Sequence, residues 1–135
     1  MPKVLVAIRP EDQDVMRRVF GDEFDVINCT TLAEAQAALS ADLSMIACGV
    51  HFDDGRMFDL LKLVKAEPQL SAIPFWGVLR DEGMLSSAIT RGIRTAMKSM
   101  GANGLFNLSQ PNPHDDDMLY QDLRRTIRQS FGAGS

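Results

Sequence analysis

What this sequence is short of narrows its chemistry first. It has two cysteines, Cys29 and Cys48, and two histidines, His51 and His114, in 135 residues. No CxxC pair and no Cys/His metal spacing is present, which excludes a disulfide scaffold and a thiolate metal centre. The two thiols read as buried residues of a protein kept in a reducing compartment. Long apolar runs are missing: Met45 to Val50 is typical of those present, far below the ~20 residues a bilayer-spanning helix needs. A basic excess is missing too. Lys and Arg number 14 against 18 Asp and Glu, a formal charge of −4, and nucleic-acid affinity needs a clustered basic surface. The N-terminus shows no charged region followed by a long apolar segment, so no signal peptide is expected and the location reads as cytoplasmic.

What is present is ordinary for a globular fold, with 45% hydrophobic and 24% charged residues. Val4-Leu5-Val6-Ala7-Ile8 is a short apolar run, the mark of a strand buried on both faces. Pro10, Glu11 and Asp12 suit a helix start, and Val15, Met16, Val19 and Phe20 recur at helical spacing up to Gly21. Phe24 to Asn28 reads as a second strand. Thr31-Leu32-Ala33-Glu34 is a capping box, in which the hydroxyl and the carboxylate each satisfy a free backbone N–H. The helix behind it buries Leu32, Ala35, Ala38 and Leu39. Leu43 to Val50 is a third strand, followed by the loop His51-Phe52-Asp53-Asp54-Gly55. A helix with Phe58, Leu60, Leu61 and Val64 inward comes next, and Ile73 to Leu79 is the fourth strand. Met84 to Met100 is amphipathic, Gly104 to Leu108 is a fifth strand, and Asn112-Pro113 opens a last helix.

Apolar strands alternating with amphipathic helices predict a five-stranded parallel sheet covered on both faces. Right-handed crossovers and this length favour a flavodoxin-like doubly wound (βα)5 α/β sandwich, with strand order 2-1-3-4-5. The reading is one domain over residues 1–131 with a flexible tail at 132–135. Functional residues should gather at the carboxyl ends of the strands, near 7–12, 47–55, 79–82 and 107–111.

Those segments, in their order and spacing, resemble the receiver domains of bacterial response regulators over nearly the whole chain. Thr31-Leu32-Ala33-Glu34-Ala35 is similar to the family's second-helix start. Phe58-Asp59-Leu60-Leu61-Lys62 with Ala66-Glu67-Pro68 is similar to its third helix. Ser71-Ala72-Ile73-Pro74 and Gly101-Ala102-Asn103-Gly104 resemble the approaches to its fourth and fifth strands. The resemblance implies Mg²⁺ held by an acidic pair after strand one, and an aspartate ending strand three that accepts a phosphoryl group from a histidine kinase. It also implies a Thr or Ser after strand four and a Lys after strand five. Such chemistry needs hard oxygen ligands, a carboxylate nucleophile and cations around the developing charge.

The chain departs at every one of those positions. Ile8 and Arg9 replace the acidic pair. Gly49, aligned from the helix side, or Ala47, aligned from the strand side, replaces the aspartate. Leu79 stands at the hydroxyl position and Leu108 at the lysine position; Leu105, beside Phe106, stands at the aromatic switch. The resemblance then implies a degenerate pseudo-receiver that is not an enzyme, with no metal and no cofactor. It would act through protein contact with a histidine kinase, an output domain or a second copy of itself as a homodimer, with no nucleic-acid or membrane partner.

Several residues stay open to two readings. Arg9 is either a solvated strand end or a built-in cation paired with Asp53 or Asp54. Asp-Asp-Gly is either a turn, since Asp bonds its own backbone and Gly takes positive φ, or a displaced phosphoacceptor for unconventional phosphotransfer. Cys48, beside the lost nucleophile, is either an inert thiol or a redox residue. Arg91, Arg94 and Lys98, with Arg124, Arg125 and Arg128, are either a solvated face or part of an interface. The interaction face expected from the resemblance comprises Arg94, Lys98, Leu105, Phe106 and Arg124. An alternative function is a small-ligand-binding domain using a vacated pocket lined by Ile8, Leu79 and Leu108. Trp76 is expected near that site.

Overall fold

In the computed structural model, residues 2–79 and 87–107 are described, with helical residues at 125, 128 and 129. The Val4-Leu5-Val6 run becomes strand β1, Lys3–Ala7. A 3₁₀ turn at Pro10–Asp12 leads into helix α1, Gln13–Phe20. Strand β2 is Asp25–Cys29 and helix α2 is Leu32–Ala38. Strand β3 is Met45–Gly49, helix α3 is Met57–Ala66 and strand β4 is Phe75–Leu79. Helix α4, Ser87–Ser99, precedes strand β5, Gly104–Asn107. The strands form one parallel sheet in the order β2-β1-β3-β4-β5, as the alternating pattern predicts. The expected last helix and the 132–135 tail lie outside the described residues, apart from the three helical positions named.

Strand parity sorts the core into two layers. Leu5, Ala7, Ile46, Cys48, Phe75, Leu79 and Leu105 face a cluster completed by Ala35 of α2, Leu60, Leu61 and Val64 of α3 and Met97 of α4. Val4, Val6, Ile8, Met45, Ala47 and Val78 face Met16, Val19 and Phe20 of α1. Ladders are shorter than the apolar runs. Pro74 has no N–H to give to a ladder, so β4 starts at Phe75, although the Pro74 carbonyl still accepts Ile46 N–H at 2.8 Å. Ile8 leaves β1 but keeps one bond, its N–H donating to the Cys29 carbonyl at 3.0 Å.

Cys29 and Cys48 both lie in register with Ala7, one on each neighbouring strand. Two strand spacings separate them, ~10 Å, beyond the ~7 Å Cα reach of a disulfide. Burial raises both thiols from their ordinary value, Cys48 well above it. Among the described residues, no helix is long and apolar enough to cross a membrane.

One aromatic contact dictates a glycine. Trp76 stacks on Phe106 with centroids 4.5 Å apart and planes 11° from parallel. A Cβ on Gly104, in register with Trp76, would stand 2.6 Å from the indole. Gly104→Ala is therefore expected to lower stability by about 1–3 kcal/mol in urea unfolding. Gly92→Ala, where a Cβ meets nothing within 4 Å, is expected to raise it by about 0.5–1 kcal/mol. A thiol-reactive dye should label neither cysteine in the native protein and both after unfolding.

Candidate functional site

Parallel strands end together, so the loops after β1 and β3 meet at one edge of the sheet. Ile8 follows β1 and Gly49 ends β3. Ile8 is 1% exposed, and a Cβ built on Gly49 would stand 3.5 Å from Ile8 Cγ2. Hydrocarbon therefore lies directly over the end of β3. Leu79 closes β4 fully buried. Ala47 sits two residues earlier on β3, in register with Val6 and Trp76, buried under α1. Of the two alignments for the lost aspartate, Gly49 is the residue at the strand tip. Leu108 lies outside the described residues. Trp76 is the second residue of β4, in the body of the sheet, which corrects its expected place near the tips.

Arg9 carries its charge to a partner the sequence reading did not choose. Its Nε donates to Asp12 Oδ2 at 2.9 Å and its terminal nitrogen to Asp12 Oδ1 at 3.2 Å. The 3₁₀ turn made by Pro10–Asp12 folds the carboxylate back onto the guanidinium three residues behind it, giving a two-point, charge-assisted pair. Both side chains are largely sequestered, at 18% and 10% exposure. The expected pair with Asp53 or Asp54 is corrected accordingly, because the nearer acid in the chain takes the fork.

Asp53 has another task. Its Oδ2 accepts the N–H of Leu32, the first residue of α2, at 2.9 Å. The rest of that helix start is satisfied locally. Thr31 Oγ1 accepts Glu34 N–H at 3.2 Å, and Glu34 Oε1 accepts from Thr30 N, Thr30 Oγ1 and Thr31 N at 3.0, 3.0 and 3.2 Å. These bonds, led by the Thr30 N–H, hold the Glu34 carboxyl below its ordinary range. The capping box is the one read in the sequence; the added cap from Asp53 is not, because it comes from 21 residues away. To reach α2 the loop takes three successive left-handed residues, Asp53 at φ 45°, Asp54 at 58° and Gly55 at 88°. Asp tolerates that region better than most side chains.

These pieces surround one cavity of about 590 Å³, lined by Arg9, Pro10, Glu11, Thr30, His51, Asp53, Asp54 and Gly55. It brings Arg9, Asp53 and Asp54 together on one wall system, though not as an ion-paired triad. The expected apolar pocket is corrected as well. Ile8 and Leu79 are packed into the core layers, and the residues that line the cavity are mostly polar. His51 Nε2 is buried there without a hydrogen-bond partner among the described residues. Among those residues no three His, Cys, Asp or Glu side chains converge as a metal-binding group.

The expected interaction face is only partly on the surface. Arg94 and Lys98 are exposed on α4. Leu105 is 6% exposed and points into the core beside Met97, so it is removed from that face. Phe106 is half-buried against Trp76, and Arg124 lies outside the described residues.

Asp53 and Asp54 differ in what they hold, and stability should report it. Asp53→Ala removes the cap on Leu32 and also leaves alanine at φ 45°, and is expected to cost about 2 kcal/mol in urea unfolding. Asp53→Asn, whose side-chain carbonyl can accept the same N–H, should recover most of that loss. Asp54→Ala, which places an ordinary side chain at positive φ, should destabilise, and Asp54→Gly should not.

Known structures of this shape are numerous, although no family model and no curated protein matches the sequence. A signal receiver domain of a histidine kinase from Clostridium thermocellum matches with a TM-score of 0.70 at 12% identity, covering 96% of this chain and 97% of that one. The receiver domain of HemR from Leptospira biflexa, in its non-phosphorylated form, gives 0.63 at 18% identity, covering 94% of each. The chemotaxis response regulator CheY4 of Vibrio cholerae gives 0.64 at 21% identity, covering 93% of this chain and 98% of that one. The chain has the receiver fold of two-component response regulators.

Proposed function

We propose that this chain is a receiver-like module of two-component signalling that works by protein contact, without aspartyl phosphorylation and without enzymatic activity, in the cytoplasm. The observation that carries the reading is the packing of Ile8 on Gly49 at the tips of β1 and β3. A divalent ion there needs several carboxylate or carbonyl oxygens at short range, and neither Ile8 nor Gly49 has a side-chain oxygen to offer. Arg9 adds a fixed cation beside the same edge, already matched by Asp12. That pairing engages both oxygens of Asp12 and keeps them from serving as ligands to an ion.

The partner classes that fit are a histidine kinase, an output domain or a second copy of the chain. A second reading has one observation in its favour: the polar cavity bounded by Glu11, Thr30, His51 and Asp54 is large enough for a small polar ligand. Unconventional phosphotransfer at Asp53 or Asp54 is the third. Asp53 is the weaker nucleophile of the two, because one of its oxygens is engaged by Leu32 N–H.

Incubation with acetyl phosphate and Mg²⁺, followed by intact-mass measurement, is expected to leave the mass unchanged. Thermal melting across a magnesium series should show no saturable stabilisation in the sub-millimolar range. An acid-stable, hydroxylamine-labile phosphate adduct on Asp53 or Asp54 would overturn the reading in favour of phosphotransfer.

A further inference from the structure

We propose that the groove between α2 and α3 seats a second copy of this chain, docked antiparallel about a two-fold axis; the inference rests on reading the chain as an interaction module and names its partner and the face it uses. Helix α3 buries Met57, Leu60, Leu61 and Val64, the core-facing stripe expected at helical spacing. Leu63 falls off that stripe and stays half-buried on the flank toward α2. Leu32, which opens α2, and Leu39, which follows it, are half-buried along the same flank. Two openings of about 500 and 350 Å³ merge there, sharing Gln36, Leu63 and Ala66 as lining. Leu32 lines the first and Leu39 the second, so an apolar floor extends along both helices.

The order of charges selects the occupant. Arg56, Asp59, Lys62 and Glu67 border the groove, and all four are exposed. Glu34 is engaged at the start of α2 and Lys65 on the Ser71 carbonyl, so neither joins them. Along α3 the signs run plus, minus, plus, minus. Reversed, they run minus, plus, minus, plus, so every charge meets its opposite when a second α3 lies antiparallel. Arg56 then faces Glu67 of the second copy and Asp59 faces its Lys62, and both contacts centre on one turn of the helix, around Leu61. Such reciprocity is what a two-fold contact demands of a single surface. The helix dipole adds to it. Arg56 is the N-cap of α3 and Glu67 its C-cap, each at the helix end that carries its own sign of partial charge. Beside an antiparallel neighbour, each lies next to the end of opposite sign. The four charges also cancel, so two copies of a chain at −4 meet through a neutral face. A foreign partner requires no such symmetry of one helix.

The test is sedimentation velocity of the full chain over a concentration series reaching about 0.5 mM, with and without acetyl phosphate and Mg²⁺. The unmodified wild type is expected to pass from monomer to dimer. D59K and K62D each set like charges together in a self-dimer and should weaken association at least about tenfold. An equal mixture of the two variants should recover it, because the bases of one then meet the acids of the other. The double variant D59K/K62D keeps the pairing in a single chain and should dimerise as the wild type does. Attraction between Asp59 and Lys62 within one helix cannot produce recovery on mixing. A wild type that stays monomeric overturns the proposal and leaves the interaction-module reading standing, with a kinase or output domain as partner. Dimers unmoved by either single variant overturn the groove as their site. Failure of both the mixture and the double variant to associate overturns the two-fold pairing. Dimers that form only after the chain has gained a phosphate overturn the phosphorylation-independent reading itself.

Discussion

The constraint on which this structure turns is that its central strands must bury both faces. β1 runs between β2 and β3 with Val4, Leu5, Val6 and Ala7 all inaccessible to water. In a doubly wound sheet the only natural place for polar chemistry is where those strands stop. Here the apolar character continues one residue past β1, into Ile8, and Ile8 closes over Gly49. The boundary between core and site has in effect moved outward. The polar groups that remain lie one layer further out, around Arg9, Asp12 and the loop at Asp53.

That displacement explains the pattern of polar pairing at the edge. Arg9 would be costly to sequester alone, and Asp12 sits at its side through the geometry of the 3₁₀ turn. Asp53 spends its carboxylate on α2 rather than on a cation. The loop accepts left-handed backbone at two aspartates to make that bond, a strain that persists only where the surroundings hold it. The result is a rim in which the charged groups are mostly tied to the protein itself, the inverse of a site that keeps acids free for an ion.

Much of this was legible in the residue order, for local reasons. The β1 run, the Thr31–Glu34 box and the inward residues of α3 are all set by neighbours within a few positions, and each folds as its spacing implies. Sheet order followed from the alternation of strands and crossovers. Long-range choices were hidden. Nothing in the spacing of Asp53 and Leu32 announces a bond across 21 residues. Arg9 had Asp53 and Asp54 as its candidate partners, and the turn at Pro10 brings Asp12 to it instead. Leu105 and Phe106 are adjacent, so one faces each side of the sheet, but only the register with Gly77 and Val78 shows which. Leu105 went to the core and Phe106 to the indole.

The Trp76–Phe106 stack has a practical corollary. This protein has a single indole, and it is clasped between neighbouring strands β4 and β5, remote from the strand tips. Its emission will therefore follow the cohesion of that side of the sheet. Events at the rim will be nearly invisible to it unless they pry β5 away, so a spectral change on adding a partner would signify that the association has been transmitted into the scaffold.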